Sequence, residues 1–498
     1  MHFFTILLTH EVAYESLLRE RRKALHAQIL QAIEWLYPDR VEGYIEQFAY
    51  HAFRGEVWDK AFTYLQQAGA KSAARCAHRE AIGHFEHALT AASHLPDNRD
   101  ITQRAIDLRF KLRSSLFALG EFDRLIDYLR EAEAMSDKLS DRRRLGEVAA
   151  YMTNYYFWIG KPEQAVETGE RSVAIASDLQ DFTLKIRTKL ALGQAYFSLG
   201  QYHQSTELLR ETLILLEGDH IYESFGLAAP PSITAHTFLA WSLAELGEFT
   251  EAIAVGENGV RLGEALGQPF SLAVVCMGLA GAHLRQGNIG AALPALERSI
   301  ATCERWNAPL WAPICKYALG SAYTMAGRLN EALPLLQEAV ERSAGTKVLM
   351  DHPLFMAQLG NARLLTGAID EATRLGERSL ALAREQGSRG NEGWVLRLLG
   401  EAAALQVPPD REKAYECFQQ AAAISEGLGM RPLLAQCHFG LGRFARRMND
   451  VEQAKQHLTT AANFFIELDM RFWAEKVEAE LQCGSTESVG LEPTHSTV

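Results

Sequence analysis

Seven glycines recur along the chain at an almost constant spacing, and this recurrence restricts the fold more than any other feature. They are Gly120, Gly160, Gly200, Gly247, Gly287, Gly327 and Gly367, so successive positions differ by 40, 40, 47, 40, 40 and 40. Self-similarity at a fixed period of this size is the signature of stacked structural repeats. The 498 residues can then form one elongated array whose core grows with each repeat.

Each repeat is predicted to be a helix-turn-helix hairpin. In "LGSAYTMAGRLNEALPLLQEAV", residues 319–340, the turn glycine is Gly327 and the next helix starts with Leu329, followed by Glu331 and Ala332. Glycine readily takes the left-handed backbone conformation that ends a helix. A column of small residues should let the paired helices approach closely. This column is Ala165, Ser205, Ala252, Ala292, Ala332, Ala372, Ala414 and Ala454.

Composition and charge narrow the class of protein. Hydrophobic residues make up 48% and charged residues 22%, with only 15 prolines, which favours helix almost throughout. The net charge of −12 repels nucleic acid and anionic membranes, so neither is an expected partner. Seven cysteines without a C-x-x-C pair, and no export signal or anchor, predict a reduced, cytoplasmic protein.

Two stretches interrupt the repeat and one ends it. Glu217–Ser232 carries Pro and Gly residues, Gln406–Glu412 carries two prolines, and both are predicted loops. The polar, aperiodic residues 484–498 are predicted to be a disordered tail. Between residues 41 and 483 we count about eleven helix pairs.

The candidate chemical motifs all fail on spacing. His10-Glu11 begins like a zinc-protease helix, but H-E-x-x-H needs a histidine where Tyr14 stands. No G-x-x-x-x-G-K-[ST] loop is present, so nucleotide binding is not expected. His84 and His87 lie three residues apart and could share a metal, but no third ligand is evident. We therefore predict no catalytic residue, no metal site and no cofactor.

One aromatic cluster is a candidate partner-binding patch. The segment "YMTNYYFWIG" places Tyr151, Tyr155, Tyr156 and Trp158 on a single helix. Consecutive aromatic residues point around the whole helix, so some of them should face outward. Two interpretations stay open: packing against both neighbouring hairpins, or a recognition patch on the concave face.

The spacing of Gly, Tyr, Gly, an apolar residue and Ala resembles the tetratricopeptide repeat (TPR), best between Leu192 and Ala461. The period of about 40 residues exceeds the standard 34, so pairs of the HEAT type remain an alternative. The resemblance implies an all-α, right-handed superhelix, or α-solenoid, of TPR-like hairpins.

A wider resemblance concerns residues 8–95, beginning "LTHEVAYESLLRERRKALHAQIL", and residues 428–447, "LGMRPLLAQCHFGLGRFARR". Both are similar to the C-terminal TPR region of bacterial signalling proteins that join a class III adenylate or guanylate cyclase, a P-loop ATPase and a long TPR arm. On this resemblance, residues 1–40 form a helical remnant of the ATPase or winged-helix part, and 41–483 form the arm. No cyclase carboxylate or Walker loop is found in this chain, so no catalytic residue carries over.

These observations predict a non-enzymatic scaffold in signal transduction that binds a protein or peptide on its concave face. A cyclase/ATPase module is one candidate partner. The alternative is a small-molecule or peptide sensor that controls such a module. The sequence leaves the partner and the oligomeric state open.

Overall fold

The computed structural model describes residues 18–37, 41–227, 229–305 and 310–486. Over these ranges the chain forms 23 α-helices, one short 3₁₀ helix at Gly218–Tyr222 and no β-strand. The predicted all-α fold class, a solenoid of TPR-like hairpins with the long period of the glycine positions, is confirmed.

The bounds of the helices follow the predicted repeat. In chain order they are α1 Arg19–Leu36, α2 Val41–Arg54, α3 Trp58–Ala74, α4 His78–Ala92, α5 Arg99–Leu119, α6 Phe122–Lys138, α7 Arg142–Trp158, α8 Pro162–Leu179, α9 Phe182–Leu199, α10 Tyr202–Leu215, α11 Pro231–Leu246, α12 Phe249–Leu266, α13 Pro269–Gln286, α14 Ile289–Arg305, α15 Ala312–Met325, α16 Leu329–Thr346, α17 His352–Leu365, α18 Ile369–Glu385, α19 Arg389–Leu405, α20 Arg411–Leu428, α21 Arg431–Arg447, α22 Val451–Glu467 and α23 Arg471–Thr486. From α5 onward, each odd-numbered helix up to α21 is the first helix of a hairpin and the next is its second.

The chain divides into two compact units, with the boundary between Val148 and Ala149, inside α7. The predicted boundary at residue 40 falls in the stretch 38–40, outside the described residues, and His10-Glu11 lies in the stretch 1–17, also outside them. Helix α23 continues to Thr486, and the rest of the predicted tail lies outside the described residues. The predicted domains 1–40, 41–483 and 484–498 stay predictions.

The turns of the seven hairpins from α5 to α18 have the backbone conformation that the recurring glycines predicted. All seven have positive φ, between 70° and 93°. Two hydrogen bonds close the turn at Gly327. The amide of Arg328 donates to the carbonyl of Tyr323 (2.8 Å), and the amide of Gly327 donates to the carbonyl of Thr324 (3.1 Å). This is the Schellman arrangement, which satisfies carbonyls left over at the end of α15 and turns the chain into α16.

The small column brings the two helices of a hairpin together, as predicted. Seven of its eight members are completely buried, and Ala454 is 6% exposed. Glycines on the first helix add to the close approach: a Cβ on Gly320 would lie only 2.7 Å from Cγ of Leu336, and one on Gly442 would lie 2.7 Å from Cγ of Leu458. The leucine of the second helix thus occupies the space that the missing side chain leaves.

Within the second unit, hairpins that are far apart in sequence also touch. The amide of Leu349 donates to the carbonyl of Trp158 (2.8 Å), and Oγ of Ser388 donates to the carbonyl of Ser198 (2.7 Å), 190 residues earlier. A Cβ on Gly200 would lie 2.8 Å from the amide nitrogen of Gly390. The early and late hairpins of this unit therefore pack against each other directly, which brings the two sides of its inner face together.

The predicted loops are found at both interruptions. The described part of Glu217–Ser232 contains the 3₁₀ helix and is held by Nε of Arg187, which donates to the carbonyl of Phe225 (2.6 Å). The second loop ends where α20 begins, at Arg411. Neither loop disturbs the stacking of the hairpins on either side.

Candidate functional site

A cavity of about 680 Å³, partly open to solvent, lies along the inner face of the second unit. Its wall is built by the first helices of successive hairpins, α9, α11, α13, α15, α17, α19 and α21, together with α23. Two further residues complete it: Tyr202, which begins α10, and Asp351, which precedes α17. The second helices of the hairpins form the outer layer, so the repeat itself creates this concavity.

The wall is rich in large apolar and aromatic side chains. Nine aromatic residues line it: Phe197, Tyr202, Trp241, Tyr317, Phe355, Trp394, Phe439, Phe472 and Trp473. Tyr317 stacks on Phe355, with ring centroids 4.5 Å apart. Such surfaces contribute large contact areas with little loss of side-chain entropy on binding. The cavity is therefore suited to ligands with apolar side groups.

A buried polar cluster joins three helices at one end of the cavity. Arg285 on α13 forms an ion pair with Oε1 of Glu245 on α11. Nε1 of Trp394 on α19 donates to Oε2 of the same carboxylate (3.1 Å). The Arg285 guanidinium also lies over the Trp394 ring, 4.2 Å from its centroid. Glu245 thus binds both a neighbouring hairpin and a helix far along the chain.

Asp351 lies beside this cluster. Its Oδ1 accepts a hydrogen bond from Nδ2 of Asn391 (3.2 Å). Burial raises the pKa of the Asp351 carboxyl to about 6, and the negative charge of Glu245 adds to this, while Asn391 and the charge of Arg285 oppose it. The side chain is nevertheless partly accessible, because it borders the cavity.

The raised pKa of Asp351 predicts a specific pH dependence of stability. The folded protein binds this proton more tightly than the unfolded chain, whose Asp pKa is about 3.9, so stability should fall as the pH rises from about 4 to about 6. Asp351→Asn should remove this fall and be more stable than the wild type at pH 7 by about 1–2 kcal/mol. Urea denaturation across this pH range measures it. The exposed Asp219→Asn is the control; a wild-type curve that Asp351→Asn leaves unchanged would contradict the assignment.

Two further ion pairs line the same wall. Arg397 donates to Oε1 of Glu401 (2.5 Å) and to Oδ1 of Asn361 (3.3 Å). Nε of Arg443 lies 3.2 Å from Oε1 of Glu480.

Lys476, on α23, also lines the cavity. Its Nζ is over the Phe472 ring, 4.2 Å from the centroid. Burial and the charge of Arg443 lower the pKa of the Lys476 ammonium, whereas Glu401 raises it.

The aromatic residues singled out from the sequence lie elsewhere. Tyr151, Tyr155 and Trp158 are buried and Tyr156 is half-buried. Trp158 packs edge-on against Trp311 (6.0 Å), and Tyr151 accepts a hydrogen bond from Arg187 (3.0 Å). None of the four lines the cavity described above. Their part in binding a partner stays a prediction.

The other sequence candidates do not form a chemical site in the described ranges. There, no group of three or more His, Cys, Asp or Glu side chains is arranged to hold a metal ion. His84 is half-buried, and burial lowers the pKa of its imidazole. None of the described helices combines the length and apolar character that a membrane crossing requires.

The residues that line the cavity were missed by the sequence reasoning, although a signal exists. In successive repeats, two positions of the first helix face the cavity: the residue six positions before the turn and the residue two positions before it. The first of these columns is Trp241, Gly281, Ser321, Asn361 and Glu401, one member in each repeat. Its members differ in size and polarity, whereas the packing columns stay small or apolar. A position that recurs at the same place in each repeat, but whose residue type varies from repeat to repeat, therefore indicates the inner face.

Comparisons with known proteins agree with the fold. Three segments match tetratricopeptide-repeat families, residues 271–344, 186–217 and 233–255. These matches favour TPR hairpins over the HEAT alternative. Among curated proteins, none is significantly similar in sequence.

Several solved structures share the helical-hairpin architecture at low identity. A Rap protein complexed with competence and sporulation factor is 13% identical over 82% of this chain and 99% of its own, with a TM-score of 0.48. The Rap conjugation gene regulator of plasmid pLS20, in complex with the Phr* peptide, is 16% identical over 73% and 96%, with a TM-score of 0.49. A signal transduction ATPase with a tetratricopeptide repeat sensor from Pyrococcus horikoshii is 12% identical over 77% and 54%, with a TM-score of 0.44.

Proposed function

We propose that this chain is a non-catalytic regulatory protein that binds a short protein or peptide segment in the cavity of its second unit. The observation that supports this best is the cavity of about 680 Å³, partly open to solvent and walled by the first helices of successive hairpins. Ligand sites are commonly concave, mostly apolar and of about 300–1,000 Å³. A space of this size accommodates a few residues of an extended chain.

The polar groups on the wall favour a peptide over other small ligands. Four side-chain amides line the cavity, on α17, α19 and α21: Gln358, Asn361, Asn391 and Gln436. Each amide offers two N–H donors and a carbonyl with two lone pairs, which matches the alternating donors and acceptors of a peptide backbone. Gln358, Asn361 and Asn391 each use part of this capacity within the protein. The aromatic surfaces between the amides can then receive apolar side chains.

A ligand in this position would act on the packing of the unit as a whole. The helices α11 and α19 face the same cavity and are joined through Glu245 and Trp394. The hairpins around them also touch through Ser198 and Ser388. A ligand that prefers one spacing of these helices therefore shifts the population of the unit towards that spacing. This gives a binding event a structural consequence at a distance.

The proposal is tested by incubating the full chain with mixtures of three- to eight-residue peptides, separating bound from free by size exclusion, and identifying retained peptides by mass spectrometry. Gln358→Trp, which fills the cavity with an indole, should abolish retention. Gln419→Trp on the outer face of α20, where Gln419 is exposed, should not.

A panel of metabolites run in parallel tests the small-molecule alternative. Retention of metabolites without peptides would favour a small-molecule sensor and contradict the peptide proposal.

We also propose that the regulated partner is a nucleotide cyclase or P-loop ATPase. Support comes from the resemblance of residues 8–95 and 428–447 to the TPR arm of such proteins. The DNA next to the coding sequence should then encode a P-loop ATPase or class III cyclase module. Adding this chain to that purified module should change its rate of nucleotide turnover. An unchanged rate, with and without a bound peptide, would contradict this part of the proposal.

A further inference from the structure

Two buried thiols face each other where one hairpin meets the next. Sγ of Cys303, in the last turn of α14, lies 3.5 Å from Sγ of Cys315, the fourth residue of α15. Cys303 is 2% exposed and Cys315 is 1% exposed. The sulfur atoms of a disulfide are about 2.05 Å apart, so formation of a bond needs an approach of about 1.5 Å.

Further contacts show that α14 and α15 face each other along this segment. Oγ of Ser299, one turn earlier on α14, lies 3.3 Å from Sγ of Cys315 and donates to the carbonyl of Ala273 on α13 (2.9 Å). The next residue of each helix repeats the pairing, since Nζ of Lys316 lies 3.9 Å from Oε1 of Glu304. The two thiols are therefore held together by the packing of the helices on which they lie.

The thiol pair lies close to the end of a helix. Cys303 is two residues before α14 ends at Arg305, and both Glu304 and Arg305 are exposed. The ends of helices open locally at a lower free energy than their centres. A small uncharged oxidant therefore reaches the thiols through opening of a single turn. Once one cysteine is oxidised to a sulfenic acid, a thiol at contact distance condenses with it to a disulfide.

We propose that Cys303 and Cys315 are an oxidation site at which a hydroperoxide forms a reversible disulfide between α14 and α15. One thiolate attacks an oxygen of hydrogen peroxide: an S–O bond forms, the O–O bond breaks, and the released hydroxide takes up the thiol proton as water. The second thiolate attacks the sulfenic sulfur: the S–S bond forms, the S–O bond breaks, and a second water leaves. The two electrons lost by the sulfurs reduce the peroxide, and a thiol such as glutathione reverses the bond by exchange.

The crosslink acts on the wall of the cavity, because α15 is one of the helices that form it. Ile314, next to Cys315, and Tyr317, two residues later, both line the cavity. Tyr317 also stacks on Phe355 of α17. A disulfide ties the start of α15 to the outer helix α14, so it favours one position of this part of the wall over others. The inference concerns a site outside the cavity and does not depend on which ligand the cavity binds.

Peptide mapping of the oxidised full chain tests the chemistry. Trypsin cleaves after Arg298, Arg305 and Lys316, so the two cysteines fall in neighbouring peptides, 299–305 and 306–316. The chain is treated with hydrogen peroxide, its remaining thiols are alkylated, and it is digested without reduction. About half of the chain or more should give the two peptides as one linked species, lighter than their sum by two hydrogen atoms. Dithiothreitol should separate them.

Hydrogen exchange followed by mass spectrometry tests the effect on the wall. In the oxidised chain the amides of residues 312–318 should exchange about tenfold more slowly than in the reduced chain, because the crosslink suppresses local opening of α15. Cys303→Ser and Cys315→Ser should show neither the linked peptides nor the slower exchange. Cys417→Ser, which replaces another buried cysteine, on α20, should behave as the wild type. Circular dichroism melting curves check that each variant is folded, and the wild-type digest tests the proposal even where a variant is not.

The outcomes separate the site from mere packing of two thiols. Recovery of both peptides only in the alkylated form would overturn the proposal, and so would sulfinic or sulfonic acid at either cysteine without a linked species. Linked peptides with unchanged amide exchange would overturn the effect on the cavity wall. None of these measurements uses a peptide ligand, so a chain that retains no peptide would contradict the proposed function and leave the oxidation site in place.

Discussion

An arginine in place of Ala292 is expected to abolish the cooperative folding of the hairpin α13–α14 and of its neighbours. Ala292 has no exposed surface and begins the buried stripe of α14, which continues through Leu296 and Ser299. Arginine here adds a large side chain to a closely packed interface and places a charge at a position without access to solvent. Each effect alone costs several kcal/mol, so a total loss of about 4 kcal/mol or more is expected. That is a large part of the stability of a typical domain.

The neighbouring residue provides a matched control. Ala291→Arg makes the same substitution one position earlier on the same helix, where the side chain is exposed, and it should change stability by about 0.5 kcal/mol or less. Thermal and urea denaturation, followed by circular dichroism, measure both. Because repeats in a solenoid can unfold separately, limited proteolysis should locate the damage. If Ala292→Arg melts like Ala291→Arg, the small column does not hold the hairpins together.

The hairpins could be predicted because their determinants are local. Gly327 ends α15 through hydrogen bonds to carbonyls no more than five residues away, and Ala332 is buried against the partner helix of its own hairpin. Both the turn and the close approach depend on residue types within one repeat. The regular period therefore shows them directly in the sequence.

The cavity could not be predicted in the same way because it depends on contacts between distant repeats. Glu245 and Trp394 are 149 residues apart, and their pairing follows from how much each repeat rotates relative to the last. Gly160 and Gly200 illustrate the difference. Their positive φ was expected, but a Cβ on either would also collide with a hairpin far along the chain, at Gln386 and Gly390.

The aromatic segment on α7 also depends on contacts between distant hairpins. For its four aromatic residues the sequence left two interpretations open, packing against both neighbouring hairpins or a recognition patch, because a helix at the surface has one apolar face. In the second unit, α7 is covered on more than one side: Leu349, from a distant hairpin, donates its amide to the carbonyl of Trp158. Phe157 also packs edge-on against Phe238 (5.6 Å). Close packing between distant hairpins thus buries Tyr151, Tyr155 and Trp158.

Removing the carboxylate of Glu245 should have the second largest effect on stability. In Glu245→Ala the guanidinium of Arg285, whose side chain is only 17% exposed, loses its ion-pair partner, and the indole of Trp394 loses its acceptor. Leaving a buried charge unpaired costs about 3–5 kcal/mol, and water in the cavity should reduce this to about 3 kcal/mol. The contact between α11 and α19 should weaken with it.

The cost should come from the unpaired Arg285 and not from the loss of the pair as such. Replacing both Glu245 and Arg285 by methionine removes the two charges together, so the double variant should be clearly more stable than Glu245→Ala. Glu264→Ala breaks the exposed pair with Arg298, in which both side chains are about half exposed, and should cost no more than about 1 kcal/mol. Urea denaturation at pH 7 compares the three proteins.

A Glu245→Ala protein as stable as Glu264→Ala would show that the cluster does not join the hairpins. If instead the double variant were as unstable as Glu245→Ala, the stabilising contribution would belong to the Trp394 hydrogen bond, and the two effects could then be separated with Trp394→Phe.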